Sequence, residues 1–161
     1  MRSVIIYATK YGTAEKAAKM LKEKLKGEVT LINIRKEKSP SFKECDNVII
    51  GGSIYVGKIQ KELTSYMKSN LSELMKKRIG LFICAALNEQ EKLAKELDDA
   101  FPEELRRTAA VKEAFGYEFS FEKMSFFDKM ATKAIVGIKS SVSELDEGAI
   151  ESFAKVMNSQ G

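Results

Sequence analysis

Histidine and tryptophan are absent from this 161-residue chain, and proline and cysteine each occur only twice. Each shortage removes a class of chemistry. Without imidazole the chain lacks the usual general base and the commonest metal ligand, so hydrolytic chemistry and a metal site are not expected and a bound cofactor is the better expectation. Cys45 and Cys84 do not make a disulfide framework or a metal cluster. Cys84 lies inside an apolar run and reads as a core residue, and Cys45 as a half-buried thiol. No stretch approaches the ~20 apolar residues of a membrane-spanning helix. Met1-Arg2-Ser3 leads straight into a strand-like run rather than a signal peptide, so a cytoplasmic location is expected.

What remains is an ordinary globular composition, 44% hydrophobic and 31% charged. A chain of this length reads as one domain, residues 1–161, able to bury roughly 70% of its unfolded surface. Lys+Arg 27 against Asp+Glu 23 gives a net charge of +4. The lysines of 19–26 are interspersed with Glu15, Glu23 and Glu28 rather than gathered with aromatics. They form a solvated helix face, and nucleic-acid binding is not expected.

Five apolar runs alternate with helical periodicity. Val4–Ala8 and Val29–Ile34 are followed by Val48–Gly52 and Ile79–Ala86, nearly continuous as in strands buried on both faces. Ala114–Phe119 is the fifth and weakest. Between them, Ala14, Ala17, Ala18, Leu21 and Leu25 form a helical stripe closed by Gly27, and Ile59 to Met75 form a second. Leu93, Ala94, Leu97 and Phe101 make a third before Pro102, and Leu145 to Met157 a last. Residues 39–46 read as one or two helical turns. Alternating strands and helices imply parallel pairing with right-handed crossovers, hence a doubly wound α/β sheet. Ligands of such sheets sit beyond the carboxyl ends of the strands, where the strand order reverses. Here that means Thr9–Ala14, Ser53–Lys58 and the segment after Ala86.

The stretch from Val4 to Glu15 is the most informative. An apolar run breaks into the loop Thr9-Lys10-Tyr11-Gly12-Thr13-Ala14, and a helical pattern starts at once behind it. Backbone N–H groups at a helix start lack intrahelical partners and carry the positive end of the dipole, which suits a phosphate. Gly12 permits close backbone approach, and Thr9 and Thr13 can donate hydroxyl hydrogen bonds. The same pattern also serves a strand, a turn and a capped helix with no ligand.

With three loops in order at the right strand ends, the whole chain resembles a flavodoxin. Thr9 and Gly12 match the family's phosphate loop, while Tyr11 and Ala14 stand where hydroxyl residues are usual. Asp46–Ser53 resembles the third strand and the entry to the first flavin loop, and Leu81–Asn88 the strand and loop on the flavin's other side. The resemblance implies a five-stranded parallel sheet in the order 2-1-3-4-5 and non-covalent FMN, with phosphate at Thr9, Lys10, Tyr11, Gly12, Thr13 and Ala14. The ring is then expected between Ser53, Ile54, Tyr55, Val56 and Gly57 on one side and Ala86, Leu87 and Asn88 on the other. FMN is preferred to FAD because Gly-x-Gly-x-x-Gly is missing after the first strand. Tyr55 is the aromatic candidate for ring contact. By resemblance Gly57 turns its carbonyl toward flavin N5, and Lys58, where an Asp is frequent, tunes the flavin.

Gly51–Lys58 also resembles the loop of flavodoxin-like, quinone-dependent protoporphyrinogen dehydrogenases, as does Ser125–Ile138, which plain carriers lack. This narrower resemblance implies an oxidoreductase of porphyrin biosynthesis passing electrons to a quinone. The alternative is an electron carrier serving a partner protein. The net charge differs from the acidity of typical flavodoxins and suits an acidic partner, anionic lipid or a carboxylate-bearing substrate. Phe121–Ile138 is expected to form a helix or helix-like lid beside the flavin, with Phe126 and Lys129 meeting a tetrapyrrole or the inner face of the membrane. The alternative is that its apolar stripe packs on the sheet and an exposed Phe126 carries no function.

Overall fold

A computed structural model of the chain describes residues 1–85, 90–119 and 142–159. In chain order the elements are β1 (Arg2–Ala8), α1 (Thr13–Lys24), β2 (Glu28–Asn33), β3 (Asn47–Ser53), α2 (Lys61–Ser69), α3 (Leu71–Leu74) and β4 (Arg78–Cys84). There follow α4 (Gln90–Ala100), α5 (Glu103–Thr108), β5 (Val111–Ala114), β6 (Gly116–Phe119), β7 (Val142–Leu145) and α6 (Glu147–Asn158). Five strands pair in parallel in the order β2-β1-β3-β4-β5. This is the expected doubly wound order, with its reversal between β1 and β3.

Strand alternation divides the core into two layers. Val4, Ile6 and Ala8 of β1 point to one face with Val48, Ile50, Leu81 and Ile83, beneath Leu63 and Met67 of α2 and Leu105 of α5. Ile5 and Tyr7 point to the other with Ile49 and Phe82, beneath Ala14, Ala17 and Leu21 of α1 and Ile150, Phe153 and Met157 of α6. Phe82 stacks on Phe115 at 4.8 Å between centroids, and Phe153 meets both rings edge-on. Gly51, which pairs with Phe82 across the β3–β4 ladder, makes room for that cluster. A Cβ there would lie 2.2 Å from the Phe82 ring.

Several boundaries depart from the sequence reading. The run Ala114–Phe119 is not one strand: β5 ends at Ala114, Phe115 is buried in the aromatic cluster, and Gly116 turns at φ 85. The remainder becomes β6, paired antiparallel with β7 in a separate two-stranded sheet. Leu145 accordingly closes β7 rather than opening the last helix, whose cap is Asp146, its carboxylate accepting the Ala149 amide at 2.9 Å. The second stripe is broken at Asn70 into α2 and α3. Residues 39–46 form turns and no helix. The chain leaves α1 at Leu25 in extended conformation, so Gly27, at φ 80 against the Met1 carbonyl, serves the turn into β2.

Candidate functional site

The parallel register brings the carboxyl ends of β1, β3 and β4 to one rim. Ala8 stands opposite Gly52, and Ser53 opposite Cys84. The β1–α1 loop and the β3–α2 loop emerge side by side, Thr9 Oγ1 lying 3.5 Å from Ser53 Oγ.

Gly12 sets the geometry of the first loop. It adopts φ 93, ψ −3, and a Cβ on it would meet nothing within 4 Å. This left-handed conformation is the one glycine enters without strain. Gly12 is also the N-cap of α1, with no side-chain capping bond. The first intrahelical bond runs from the Lys16 amide to the Gly12 carbonyl at 3.0 Å, so the amides of Thr13, Ala14 and Glu15 precede the helical ladder. No hydroxyl side chain caps the helix at Gly12. Thr9 instead holds the loop, its Oγ1 accepting the Gly12 amide at 2.9 Å. With that oxygen accepting, the Thr9 hydroxyl hydrogen points elsewhere. Ala14 is fully buried on the core stripe of α1, so only its backbone serves the rim. No carboxylate lies between Thr9 and Ala14. The nearest in sequence, Glu15, accepts the Tyr7 hydroxyl at 2.8 Å. Burial first, then this bond and charge, pushes the Tyr7 phenol up to about 12.

The second loop is a tight turn. Tyr55 and Lys58 exchange both backbone bonds, at 2.9 and 3.1 Å. The two residues between them, Val56 at φ 48 and Gly57 at φ 75, both have left-handed φ. Two consecutive positive φ values define a type I′ turn, in which a β-branched first residue is strained. Ile54 ties the turn to β4 through its amide on the Cys84 carbonyl at 2.8 Å. Tyr55 is half-buried, and the Lys10 ammonium sits 3.5 Å from its ring centroid and 5.5 Å from that of Tyr11. Cation–π contact of this kind contributes about 0.5–1 kcal/mol at exposed sites. Gly57 and Lys58 are exposed, and nothing within 4 Å would meet a Gly57 Cβ.

The structure therefore gathers Thr9–Ala14 and Ser53–Lys58 at one rim. Ala86, Leu87, Asn88, Phe126 and Lys129 lie outside the described residues. Two supporting residues escaped the sequence reading. Buried Gln60 receives the Ser53 amide on Oε1 at 3.2 Å, and Arg35 donates from Nη1 to the Thr9 carbonyl at 3.3 Å while pairing with Glu62 at 2.7 Å. Neither sits in a motif; only the folded register brings them to the rim. Among the described residues no His/Cys/Asp/Glu group is arranged to hold a metal ion, and no helix is long and apolar enough to cross a membrane.

Comparison with known proteins agrees with this fold. No curated protein matches the sequence. The flavodoxin of Streptococcus pneumonia TIGR4 superposes with a TM-score of 0.64 at 21% identity, over 98% of this chain and 97% of its own. The Fusobacterium nucleatum flavodoxin, solved bound to flavin mononucleotide, gives 0.57 at 13% identity, over 97% and 96%. The rubredoxin oxygen:oxidoreductase of Desulfovibrio gigas gives 0.53 at 16% identity over 94% of this chain, but only 36% of that larger protein. A family model for the flavodoxin domain matches residues 4–146. The chain belongs to the flavodoxin family.

Proposed function

We propose that the chain is a single-domain, FMN-binding redox protein, with the phosphate on Thr9–Ala14 and the ring against Ser53–Gly57 and Ala86–Asn88. The observation that carries this reading is the start of α1 behind a left-handed Gly12, where no side chain caps the helix. A Cβ on Gly12 would meet nothing within 4 Å, hydroxyls and an ammonium lie in the loop, and no carboxylate does. Such a donor set fits a phosphate dianion. Bound FMN would supply one- and two-electron transfer. The residues of this chain that would hold it are the α1 amides and Thr9 for the phosphate and Tyr55 for the ring, with the Lys10 ammonium, which sits over the Tyr55 ring, adding positive charge between them. Gly57 has the backbone freedom to reorient its carbonyl, and the Lys58 ammonium favours negative charge on the reduced ring.

The finer reading is an oxidoreductase of the quinone-dependent protoporphyrinogen dehydrogenase type. It rests on the likeness of Gly51–Lys58 and Ser125–Ile138 to that group and on the net charge of +4. On this reading Phe126 and Lys129 meet a tetrapyrrole or a membrane surface at the cytoplasmic face. The electron-carrier reading rests on the full-length match to flavodoxins. An absorbance spectrum of the purified protein, titrated with FMN, tests the shared reading; saturation at one FMN per chain is expected, and absence of binding refutes it. Turnover of protoporphyrinogen with a quinone acceptor then separates the two. Turnover that falls in Phe126→Asp/Lys129→Glu at unchanged FMN content supports the enzyme, and no turnover leaves the carrier.

A further inference from the structure

A groove of about 580 Å³ lies beside the site, between the chain that follows β2 and the outer face of α2. Buried Ile34 and Tyr66 contribute its apolar lining. Three cations line it, Arg35, Lys38 and Lys61, together with the carboxylate of Glu62, which Arg35 already engages at 2.7 Å, while Glu37 acts on the Tyr66 hydroxyl from the same connection. Ser65 and Ser69 add hydroxyls along the exposed face of α2. The nine residues of α2 span about 13 Å, so the groove is long rather than a single-point anion seat. Its upper end joins the site. Lys61 opens α2 just after the 55–58 turn, and Arg35 holds the Thr9 carbonyl.

The turn presents a second feature. Val56 is 66% exposed, the most exposed large apolar side chain among the described residues. Its strained backbone at φ 48 fixes it at the tip of the turn, a combination that recurs where function retains strain. The tip precedes Lys61 by five residues in the chain, so an apolar contact point and a cationic groove lie on the same connection from β3 to α2, and protein interfaces pair apolar and charged contacts in this way.

We propose that the Val56 tip and the Arg35–Lys38–Lys61 groove form the docking surface for an electron-transfer protein with an acidic face. The inference rests on the FMN reading and holds under either of its finer forms. A protein fits better than a small anion because the groove runs along the nine residues of α2 instead of closing around one point. It fits better than a membrane because they line a concavity that a flat lipid surface does not enter. Docked there, a reduced carrier gives one electron to the bound flavin, the carrier being oxidised and the flavin reduced by one electron. A second encounter delivers the second electron, and water supplies the protons.

The test uses FMN-loaded protein, its flavin content fixed by absorbance, mixed by stopped flow with photoreduced plant-type [2Fe–2S] ferredoxin as the acidic carrier. Lys38→Glu/Lys61→Glu should slow flavin reduction about tenfold at low ionic strength, with the difference vanishing near ~0.5 M salt, where the Debye length is only a few Å. Ser65→Asp/Ser69→Asp should slow it in the same sense, and Lys38→Arg/Lys61→Arg should keep the wild-type rate. Full FMN content with unchanged rates at low salt overturns the surface, as does slowing that is equal at every salt concentration. Unchanged carrier rates with lost binding to phosphatidylglycerol vesicles would make it a membrane surface and overturn it too. Wild-type protein that takes up no FMN overturns both this inference and the reading beneath it.

Discussion

Gly12→Asp separates the ligand from the fold more cleanly than any other substitution. Gly12 has φ 93, and a Cβ built on it meets nothing within 4 Å. The cost to the fold is therefore backbone strain alone, roughly 1–2 kcal/mol for an L-residue and less for Asp or Asn, whose side chains visit this region. A domain with about 5–15 kcal/mol of stability survives that. The cost to the ligand is larger. A carboxylate about 5 Å from a phosphate dianion is repelled by about 2 kcal/mol in bulk water and roughly 7 at an effective dielectric near 20. The half-buried loop lies between these limits, so Kd for FMN should rise by more than roughly thirty-fold and less than about a hundred-thousand-fold. Quenching of FMN fluorescence gives Kd, and urea unfolding of the apoprotein gives the fold term. Gly12→Asn, with the same backbone demand and no charge, should fall between wild type and Asp. Wild-type affinity in Gly12→Asp would refute the phosphate assignment, and equal loss in Asn and Asp would assign the effect to shape instead of charge.

The other predictions concern the frame around the site. Val56→Asn places Asn-Gly in the I′ turn that now carries a strained valine at φ 48, and should stabilise the apoprotein by about 1 kcal/mol. That is a Tm rise of roughly 2–4 °C; a fall would mean the valine side chain contributes more than its backbone costs. Gly51→Ala drives a Cβ to 2.2 Å from Phe82, a ring pinned between Phe115 and Phe153, and should cost about 3 kcal/mol or more. Gly57→Ala, with open space around it, should cost only about 1 kcal/mol of strain; urea midpoints in the reverse order would contradict the packing argument. Burial and Glu15 raise the Tyr7 phenol to about 12 from its ordinary value near 10. The folded state thus keeps a proton the unfolded chain has lost, and this contribution is intact below pH 10 and declines as pH rises toward 12. Tyr7→Phe should lose stability less steeply over that window, by up to about 1.4 kcal/mol per pH unit; parallel curves would contradict the assignment.

The parallel order of the sheet was legible because strands buried on both faces read as continuous apolar runs: Val48–Gly52 falls within β3, and the run Ile79–Ala86 begins within β4 and continues past its end at Cys84. The loop Thr9–Ala14 was legible because strand, glycine and helix start follow one another within a few residues. Composition does not distinguish a strand from a buried corner, and so Phe115, a core aromatic between β5 and β6, was read as strand interior. Leu145 was misread for a similar reason: an apolar residue near a helical stripe joins it on paper, whereas its backbone pairs with Gly116. Arg35 and Gln60 left no local trace. They reach the site across the turn of the sheet and the start of α2, so their role depends on register and not on sequence neighbours.

The central claim is that the start of α1 receives the phosphate of FMN. The most direct measurement compares the affinities of the wild-type apoprotein for FMN and for riboflavin, which share the ring and differ by the phosphate. Charge-assisted hydrogen bonds contribute about 1.5–3 kcal/mol each, so two from the loop should make FMN tighter by about a hundredfold or more. Equal affinities for FMN and riboflavin would contradict the account.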